Sequence, residues 1–264
     1  MSSFRQRLKQ GELLLGQMVL ELFTPGIGPM LDASGLDFVI YDMEHGRCDI
    51  TMLEQMVASC RGSKIFPMTR VPDAGYAPLS RALDVGARGV MVPRVETRQQ
   101  AEDIVSQLRY APVGRRGVAL GIAHDLYRPG GPEFFAKAND EICVIVMVET
   151  VKAFENLDEI VSVPGVDIVW VGHYDLTVSM GIPTQFDHPR CLAAMDALLD
   201  SCGRHGVAPG FLPGTPEAAA HWIAKGFRVI SLGTDFGVYI EAMRAFRALA
   251  LRGAEGKSAK DGTT

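Results

Sequence analysis

Eight short runs of consecutive apolar residues, rich in Val and Ile, are the feature that most constrains how this chain can fold. They lie at residues 14–20, 37–42, 65–71, 89–95, 143–149, 167–172, 208–213 and 229–233. Each run is apolar throughout rather than at alternate positions, which is typical of parallel strands covered on both faces. Amphipathic stretches separate them. Eight such units in a 264-residue chain predict an α/β fold, a single-domain (β/α)8 TIM barrel.

An open doubly wound sheet is the competing architecture for alternating strands and helices. It is disfavoured because the units number eight and because no Gly-x-Gly-x-x-Gly pattern opens a helix after the first strand. We expect the barrel to span residues 1–252 and the polar tail at 253–264 to be disordered. A Gly- and Pro-rich insertion at 111–140 separates the fourth and fifth strands, and loops of this length are more often functional than idle.

Local signals predict where several helices begin. Asp49 is suited to cap one helix, and Thr97 with Gln100 three residues later forms a capping-box pattern. Pro189 is suited to the first turn of another helix. The last long helix is predicted over 237–252.

Composition narrows the class of protein. Apolar residues make up 47% of the chain, and the net charge is −5 with no long basic run, which argues against nucleic acid as a partner. The cysteines are odd in number, widely spaced and without a Cys-x-x-Cys pair, so neither a disulfide framework nor a thiolate zinc site is expected; they are Cys48, Cys60, Cys143, Cys191 and Cys202. No signal peptide and no membrane-spanning segment is recognised, which favours the cytoplasm and argues against a membrane partner.

Polar side chains follow four of the predicted strands, at the carboxyl ends where a barrel of this kind carries its active site. They are Asp42, Glu44 and His45 after strand two, Arg70 at the end of strand three, Glu149 at the end of strand five and Asp175 after strand six. Each residue alone has a structural explanation. Glu149 and Asp175 suit the first turn of a following helix, and the others suit ordinary ion pairs or hydrogen bonds. Their convergence from four strands favours a functional site.

The residue types at this rim indicate a chemistry. Two carboxylates without a sulfur ligand suit a hard divalent cation such as Mg²⁺ or Mn²⁺. Arg70 offers a planar donor pair that matches a carboxylate, and His45 can exchange a proton near neutral pH. Such a set fits a 2-keto acid that forms an enolate, and hence aldol chemistry. A Schiff-base mechanism needs a lysine at a strand end, and Lys64 falls at the wrong end of strand three.

Several segments together resemble the HpcH/HpaI aldolase family, which comprises class II, metal-dependent pyruvate aldolases of the phosphoenolpyruvate/pyruvate barrel superfamily. They are YDMEHG, TRVP, LDVGARGVMVPRVET and VMVETVKAFENLDEIVSVPGVDIVWVGHYDLTVSMG, in this order. The resemblance covers roughly residues 10 to 250. It implies reversible cleavage of a 4-hydroxy-2-keto acid to pyruvate, or a related 2-keto acid, and an aldehyde through a metal-stabilised enolate.

The resemblance also implies roles for individual residues. Glu149 and Asp175 would ligate Mg²⁺, Mn²⁺ or Co²⁺. Arg70 would bind the pyruvate moiety, and His45 would act as the acid or base, oriented by Asp84.

Further positions are implied around that centre. Asp42 and Glu44 would hold metal-bound waters or the loop around His45. The pyruvate carboxylate would contact Gly172 and the backbone amides of Tyr174 and Asp175. Leu212 would lie near an aldehyde pocket that an adjacent subunit helps to form. Family members are commonly hexamers, built as trimers of dimers that exchange the last helix.

Departures from the family pattern bear on the substrate. His173 and Tyr174 stand where the family often has Pro and a small residue, and His124 stands where an arginine is expected. Two other functions stay open. One is a citrate-lyase-like enzyme acting on a CoA thioester, for which Arg115 and Arg116 would contact the phosphates. The other is a barrel that binds a keto acid without turnover.

Overall fold

The computed structural model describes residues 3–258. The strands are β1 (Leu14–Val19), β2 (Phe38–Asp42), β3 (Phe66–Arg70), β4 (Gly89–Val92), β5 (Cys143–Val148), β6 (Ile168–Val171), β7 (Ala208–Phe211) and β8 (Val229–Thr234). Each strand pairs in parallel with the next, and β8 pairs with β1 to close a barrel. The predicted barrel and all eight predicted strands are confirmed.

Helices separate the strands and cover the outside of the barrel. They are α1 (Phe4–Lys9), α2 (Ile27–Ala33), α3 (Ile50–Ser59), α4 (Tyr76–Asp84), α5 (Arg98–Leu108), α6 (Glu133–Glu141), α7 (Val151–Glu155), α8 (Leu157–Val161), α9 (His173–Ser179), α10 (Pro189–His205), α11 (Pro216–Lys225) and α12 (Asp235–Ser258). The predicted caps form, since the Asp49 side chain accepts from the Met52 amide and Thr97 and Gln100 make a capping box.

Three elements differ from the prediction. No sequence pattern predicts α1, whose six residues are too few to show a helical period. β4 ends at Val92 rather than at residue 95, and Arg94 follows it with a φ of 56°. α12 continues to Ser258, past its predicted end, and residues 259–264 of the tail lie outside the described residues. Within that part of the chain, no helix is both long and apolar enough to span a bilayer.

Alternation along the strands positions the functional groups. Alternate side chains pack together inside the barrel, among them Phe38, Ile40, Phe66, Met68, Ile145, Met147, Ile168 and Trp170. The other set faces the helices and forms a larger core. Because side chains alternate with a period of two, the next inward positions at the carboxyl ends are Asp42, Arg70, Glu149 and Gly172.

The opposite, amino-terminal end of the barrel is closed by α1. The Phe4 ring stacks on the Phe66 ring at 4.1 Å. Arg5 and Arg109 both bind the carboxylate of Asp167, at 2.7 Å and 3.2 Å. We call Arg5, Arg109 and Asp167 the basal cluster. It joins α1 to the segments that precede β5 and β6.

Candidate active site

Arg70 and Asp42 form a buried pair at the carboxyl ends of β2 and β3. The register of these strands sets the two residues side by side. Arg70 Nε and Nη2 donate to the two Asp42 oxygens at 2.8 Å and 2.6 Å, a bidentate geometry. Burial lowers the pKa of Arg70, but the hydrogen bonds and charge of Asp42 and the charge of Glu44 outweigh it and raise the pKa above its ordinary value. Arg70 is therefore a permanent cation held in one orientation.

The pairing with Asp42 determines which edge of the Arg70 guanidinium is available to a substrate. The sequence predicted that its planar donor pair binds a carboxylate, and the carboxylate that occupies the Nε–Nη2 edge is Asp42. Nη1 lies 3.8 Å from the Met147 sulfur and 3.1 Å from Glu44 Oε2. The Asp42 carboxylate also accepts from the Glu44 amide at 3.0 Å, so it holds the loop that carries His45.

Glu44 brings a second carboxylate to the same place. Its Oε2 is buried and has no hydrogen bond, because the nearby Arg70 Nη1 lacks the required geometry. Burial raises the pKa of Glu44, as do the charges of Asp42 and Asp175, while Arg70 and His45 oppose the rise. A buried carboxylate oxygen without a partner is costly, which makes Glu44 receptive to a donor or a cation.

Glu149 stands at the end of β5 and is almost fully buried. Its Oε1 accepts from the Arg94 amide at 2.7 Å, and Arg94 adopts the left-handed conformation that non-glycine residues rarely populate. Its Oε2 lies against the Gly172 backbone, where a Cβ would sit 2.3 Å away. Burial raises the pKa of Glu149 to about 7, and the charges of Glu44 and Asp175 add to that rise.

Asp175 lies in the first turn of α9 and is exposed. Its charge raises the pKa of both Glu149 and Glu44, so the three carboxylates face one another at the rim. The first intrahelical bond of α9 runs from the Leu176 amide to the Gly172 carbonyl. The preceding amides of Tyr174 and Asp175 have no such partner, as at any helix start.

These residues fit a hard divalent cation. The possible metal ligands are all carboxylate oxygens. One of them, Glu44 Oε2, is buried without a hydrogen bond, and the positive charge beside it comes from Arg70. No group of three or more His, Cys, Asp or Glu side chains within residues 3–258 is arranged to enclose a metal ion. Coordination by two protein carboxylates, with water and substrate as the other ligands, is typical of Mg²⁺ and Mn²⁺. We call Asp42, Glu44, Arg70, Glu149 and Asp175 the rim cluster.

His45 lies beside the rim cluster but is not bound into it. Its side chain is 62% exposed, and its Nε2 is 3.9 Å from Glu44 Oε1. The contact predicted between His45 and Asp84 does not form within the chain. Asp84 is the last residue of α4, which runs back from the rim, and it accepts instead from Arg116 at 2.7 Å. A helix that follows a barrel strand runs antiparallel to it, so its last residue lies at the amino-terminal end of the barrel, away from the rim.

His173 and Tyr174, two of the residues that depart from the family pattern, belong to an aromatic group at the start of α9. The His173 ring packs edge-on against Phe186 and Phe211 at 4.8 Å and 5.0 Å. Burial lowers the pKa of His173 to about 4, so its ring is neutral at physiological pH. Tyr174 contacts Phe186 and remains exposed at the rim. Leu212 follows β7 and packs against the interior of the barrel.

The three remaining candidates lie away from this rim. His124 and Arg116 belong to the segment between α5 and β5, at the amino-terminal end of the barrel. Arg115 is exposed and pairs with Asp103 at 3.1 Å. No sequence pattern predicts that Arg94 and Phe186 lie at the site, because their positions depend on the path of the chain after β4 and α9.

Comparisons with known proteins identify the family of this chain. The HpcH/HpaI aldolase/citrate lyase family matches residues 20–242. A 2-keto-3-deoxy-L-rhamnonate aldolase of Escherichia coli O1:K1 / APEC is 31% identical over 257 residues, which are 97% of this chain and 96% of that protein. An HpcH/HpaI aldolase from Desulfitobacterium hafniense DCB-2 has a TM-score of 0.87, 28% identity and 97% coverage of both chains. The citrate synthase SbnG has a TM-score of 0.84 and 30% identity, over 96% of this chain and 99% of that one. The chain therefore belongs to the HpcH/HpaI aldolase/citrate lyase family and is a carbon–carbon lyase.

Proposed function

We propose that this enzyme reversibly cleaves a 4-hydroxy-2-keto acid of the 2-keto-3-deoxy sugar-acid class to pyruvate and an aldehyde. The observation that carries the proposal is the rim cluster, in which four carboxylates surround one fixed arginine at the carboxyl ends of the strands. The rhamnonate aldolase, similar over nearly its whole length, supports the class of substrate.

Glu149 and Asp175 are the proposed ligands of Mg²⁺, Mn²⁺ or Co²⁺. When bound, such a cation supplies the positive charge that stabilises a 2-keto acid in its enolate form. Arg70, locked by Asp42, presents Nη1 to the substrate carbonyl or carboxylate. Gly172 leaves room for substrate beside Glu149, and the amides of Tyr174 and Asp175 donate to the pyruvate carboxylate.

His45 is the proposed acid and base for the hydroxyl proton of the substrate. Its exposed side chain supports this role, because an acid or base must be able to reach the substrate hydroxyl. Asp84 is proposed to orient His45 only from a neighbouring copy of the chain, because the two are separated within one copy. Leu212 and Tyr174 are proposed to contact the aldehyde portion.

The CoA-thioester alternative loses its only candidate contacts. Arg115 pairs with Asp103 on the surface, and Arg116 is buried against Asp84 at the end of the barrel opposite Glu149. A barrel that binds without turnover would have no use for His45 beside the rim cluster.

We propose a cytoplasmic homo-oligomer, a hexamer in which dimers exchange α12. All five cysteines are buried thiols rather than disulfides, as in a reducing compartment. α12 exposes a row of large apolar side chains, and apolar surface of this extent marks an interface; they are Phe236, Val238, Tyr239, Ile240, Met243, Phe246, Leu249 and Leu251.

Metal removal tests the proposed function. Pyruvate release from 2-keto-3-deoxy-L-rhamnonate should stop in EDTA and return when Mn²⁺ or Mg²⁺ is added in excess. In the reverse direction, pyruvate and a panel of hydroxyaldehydes should give products identified by mass. Pyruvate release that persists after complete metal removal would refute the metal-dependent mechanism.

A further inference from the structure

A cavity of about 460 Å³ lies at the amino-terminal end of the barrel. Its walls come from the connection between α3 and β3, the connection between α4 and β4, and the insertion between α5 and β5. In a parallel barrel these connections lie at the end opposite the carboxyl ends of the strands. The cavity is therefore separate from the rim cluster of the same chain. Arg116 in its lining binds Asp84, which is proposed to act on a neighbouring copy.

Positive charge dominates the lining. Five cationic side chains face two carboxylates, Asp125 and Glu141; the cations are Arg61, Arg88, Arg116, Arg128 and Lys137. Arg88 and Lys137 share Glu141 at the loose distances of 3.8 Å and 3.9 Å. Arg128 makes no ion pair with any described residue. The mouth of the cavity therefore carries uncompensated positive charge in an otherwise acidic protein.

The deepest part of the cavity holds polar atoms without partners. Only 5% of Arg116 is exposed. Its Nη2 donates to Asp84, but its Nε has no hydrogen bond. Both ring nitrogens of His124 are buried without a hydrogen bond; the Asp84 carbonyl lies near the ring but outside hydrogen-bond geometry. Asp125 Oδ1 is buried and unpaired as well. Unpartnered buried polar atoms are rare in folded proteins, and here they gather in one place.

The types of these atoms define what would satisfy them. Arginine donors arranged around a cavity match the oxygens of a phosphate or carboxylate. Burial, followed by the charge of Arg116, lowers the pKa of His124, so its neutral ring offers one donor and one acceptor. Asp125 Oδ1 needs a donor such as a hydroxyl group. Leu83, Phe134 and Ile142 supply apolar wall for a carbon skeleton.

We propose that this cavity binds a small hydroxylated organic anion, one that carries a phosphate or carboxylate group. The anionic group contacts Arg116 and the cations at the mouth. A hydroxyl group binds Asp125, and the His124 ring contacts the same ligand. Phosphorylated sugars and sugar acids share this chemistry.

Calorimetric titration of the full-length protein with an anionic probe measures binding to the cavity. The titration is carried out in EDTA, because a metal ion at the rim cluster could otherwise bind the same anion. The probes are ribose 5-phosphate and gluconate, which separate a phosphate ligand from a carboxylate ligand. Arg61 and Arg128 are exposed, so the double variant Arg61→Gln/Arg128→Gln should fold normally. It should weaken binding of the favoured probe by about tenfold or more, the effect of losing hydrogen bonds to a charged group.

Arg115→Gln is the control, to be compared with each single variant, Arg61→Gln and Arg128→Gln, as well as with the double variant. Like each single variant it removes one positive charge, but Arg115 pairs with Asp103 outside the cavity. Its affinity for the probe should equal that of the wild type, and Glu149→Gln should bind the probe unchanged. One imidazole NMR signal, absent in His124→Gln, should shift when the probe is added.

Two results would overturn the proposal. One is the absence of binding by either probe at millimolar concentration. The other is an affinity that Arg61→Gln/Arg128→Gln and Arg115→Gln reduce equally, which would indicate general charge attraction rather than a site.

Discussion

The two ends of the barrel both bury arginine against carboxylate, but with opposite charge balance. In the basal cluster two arginines share one aspartate. Asp167 accepts from Arg5, Arg109 and the Val144 amide, and Arg109 also donates to the Ile142 carbonyl. In the rim cluster one arginine lies among four carboxylates and pairs with two of them, Asp42 and Glu44. Glu44 Oε2 has no hydrogen bond there, and burial raises the pKa of Glu149 to about 7.

This difference separates a structural cluster from a functional one. Both carboxylate oxygens of Asp167 are bound within the protein, so the basal cluster gains nothing from an added ion. The rim cluster carries more negative than positive charge and leaves Glu44 Oε2 without a hydrogen bond, and a divalent cation would offset the negative charge. The comparison therefore predicts that changes at the base affect stability and changes at the rim affect activity.

The largest effect on stability is expected from Asp167→Asn. It would leave the buried Arg109 and the partly buried Arg5 without their shared charge, which costs about 3–5 kcal/mol for a broken buried pair. Urea unfolding should show this loss, while the turnover number of the remaining folded protein stays unchanged. Asp103→Asn is the control, because its ion pair with Arg115 is exposed and should shift the transition far less. A loss of turnover in folded Asp167→Asn would contradict the separation of the two ends.

Arg70→Lys is expected to have the largest effect on activity. Lysine keeps the positive charge beside Asp42 but cannot reproduce the bidentate geometry or present Nη1. Turnover should fall by about 10²–10³-fold, the effect of losing one fixed donor. Deuterium exchange at the methyl group of pyruvate should fall in parallel, and unimpaired exchange would refute the assigned role. Arg115→Lys serves as the exposed control.

Glu149→Gln should stabilise the cation-free protein at high pH. Because the pKa of Glu149 rises from 4.5 to about 7 on folding, the contribution of this group to stability is fully present below pH 4.5 and is lost as the pH rises through 7. Glutamine has no charge to bury, so at pH 8 the variant should be more stable by roughly 3 kcal/mol. At pH 4.5 and below, the carboxyl is protonated and the advantage should vanish.

Urea unfolding in EDTA at the two pH values measures this effect. Glu155→Gln, on the exposed surface of α7, should show no such pH-dependent gain. Equal stability of Glu149→Gln and the wild type at pH 8 would show that Glu149 is not destabilised by burial.

Gly172→Ala should produce the smallest of these effects. Its Cβ would lie 2.3 Å from Glu149 Oε2 and 2.6 Å from the Met147 methyl group, so the carboxylate has to move. A displacement of this scale costs up to about 10²-fold in turnover. Gly203→Ala is the control, because nothing lies within 4 Å of the added methyl group. Full activity in Gly172→Ala would show that the position of Glu149 Oε2 does not matter.

Much of the barrel and its rim could be predicted from the sequence, because continuous apolar runs and capping residues are local signals. The period of two along β2 and β3 also places Asp42 and Arg70 inside the barrel and in register, which identifies their pairing. The direction of α4 excludes a contact between Asp84 and His45 within one chain, since a helix that follows a strand leads away from the rim.

Other features of the site and of the barrel base depend on contacts between residues far apart in the sequence, which no local sequence pattern predicts. The Arg94 amide reaches Glu149 only because the chain after β4 turns into the left-handed conformation. The basal cluster joins Arg5, Arg109 and Asp167, which are separated by up to 162 positions. Its existence follows from closure of the barrel rather than from spacing in the sequence.

Binding of Mn²⁺, followed by electron paramagnetic resonance, tests the central claim that the rim cluster holds a divalent cation through Glu149 and Asp175. The wild type should bind one ion per chain. Glu149→Gln and Asp175→Asn should each weaken binding by at least about 10²-fold, whereas His45→Ala should bind as the wild type does. Unchanged affinity in the double variant Glu149→Gln/Asp175→Asn, or loss of the ion in His45→Ala, would contradict that claim.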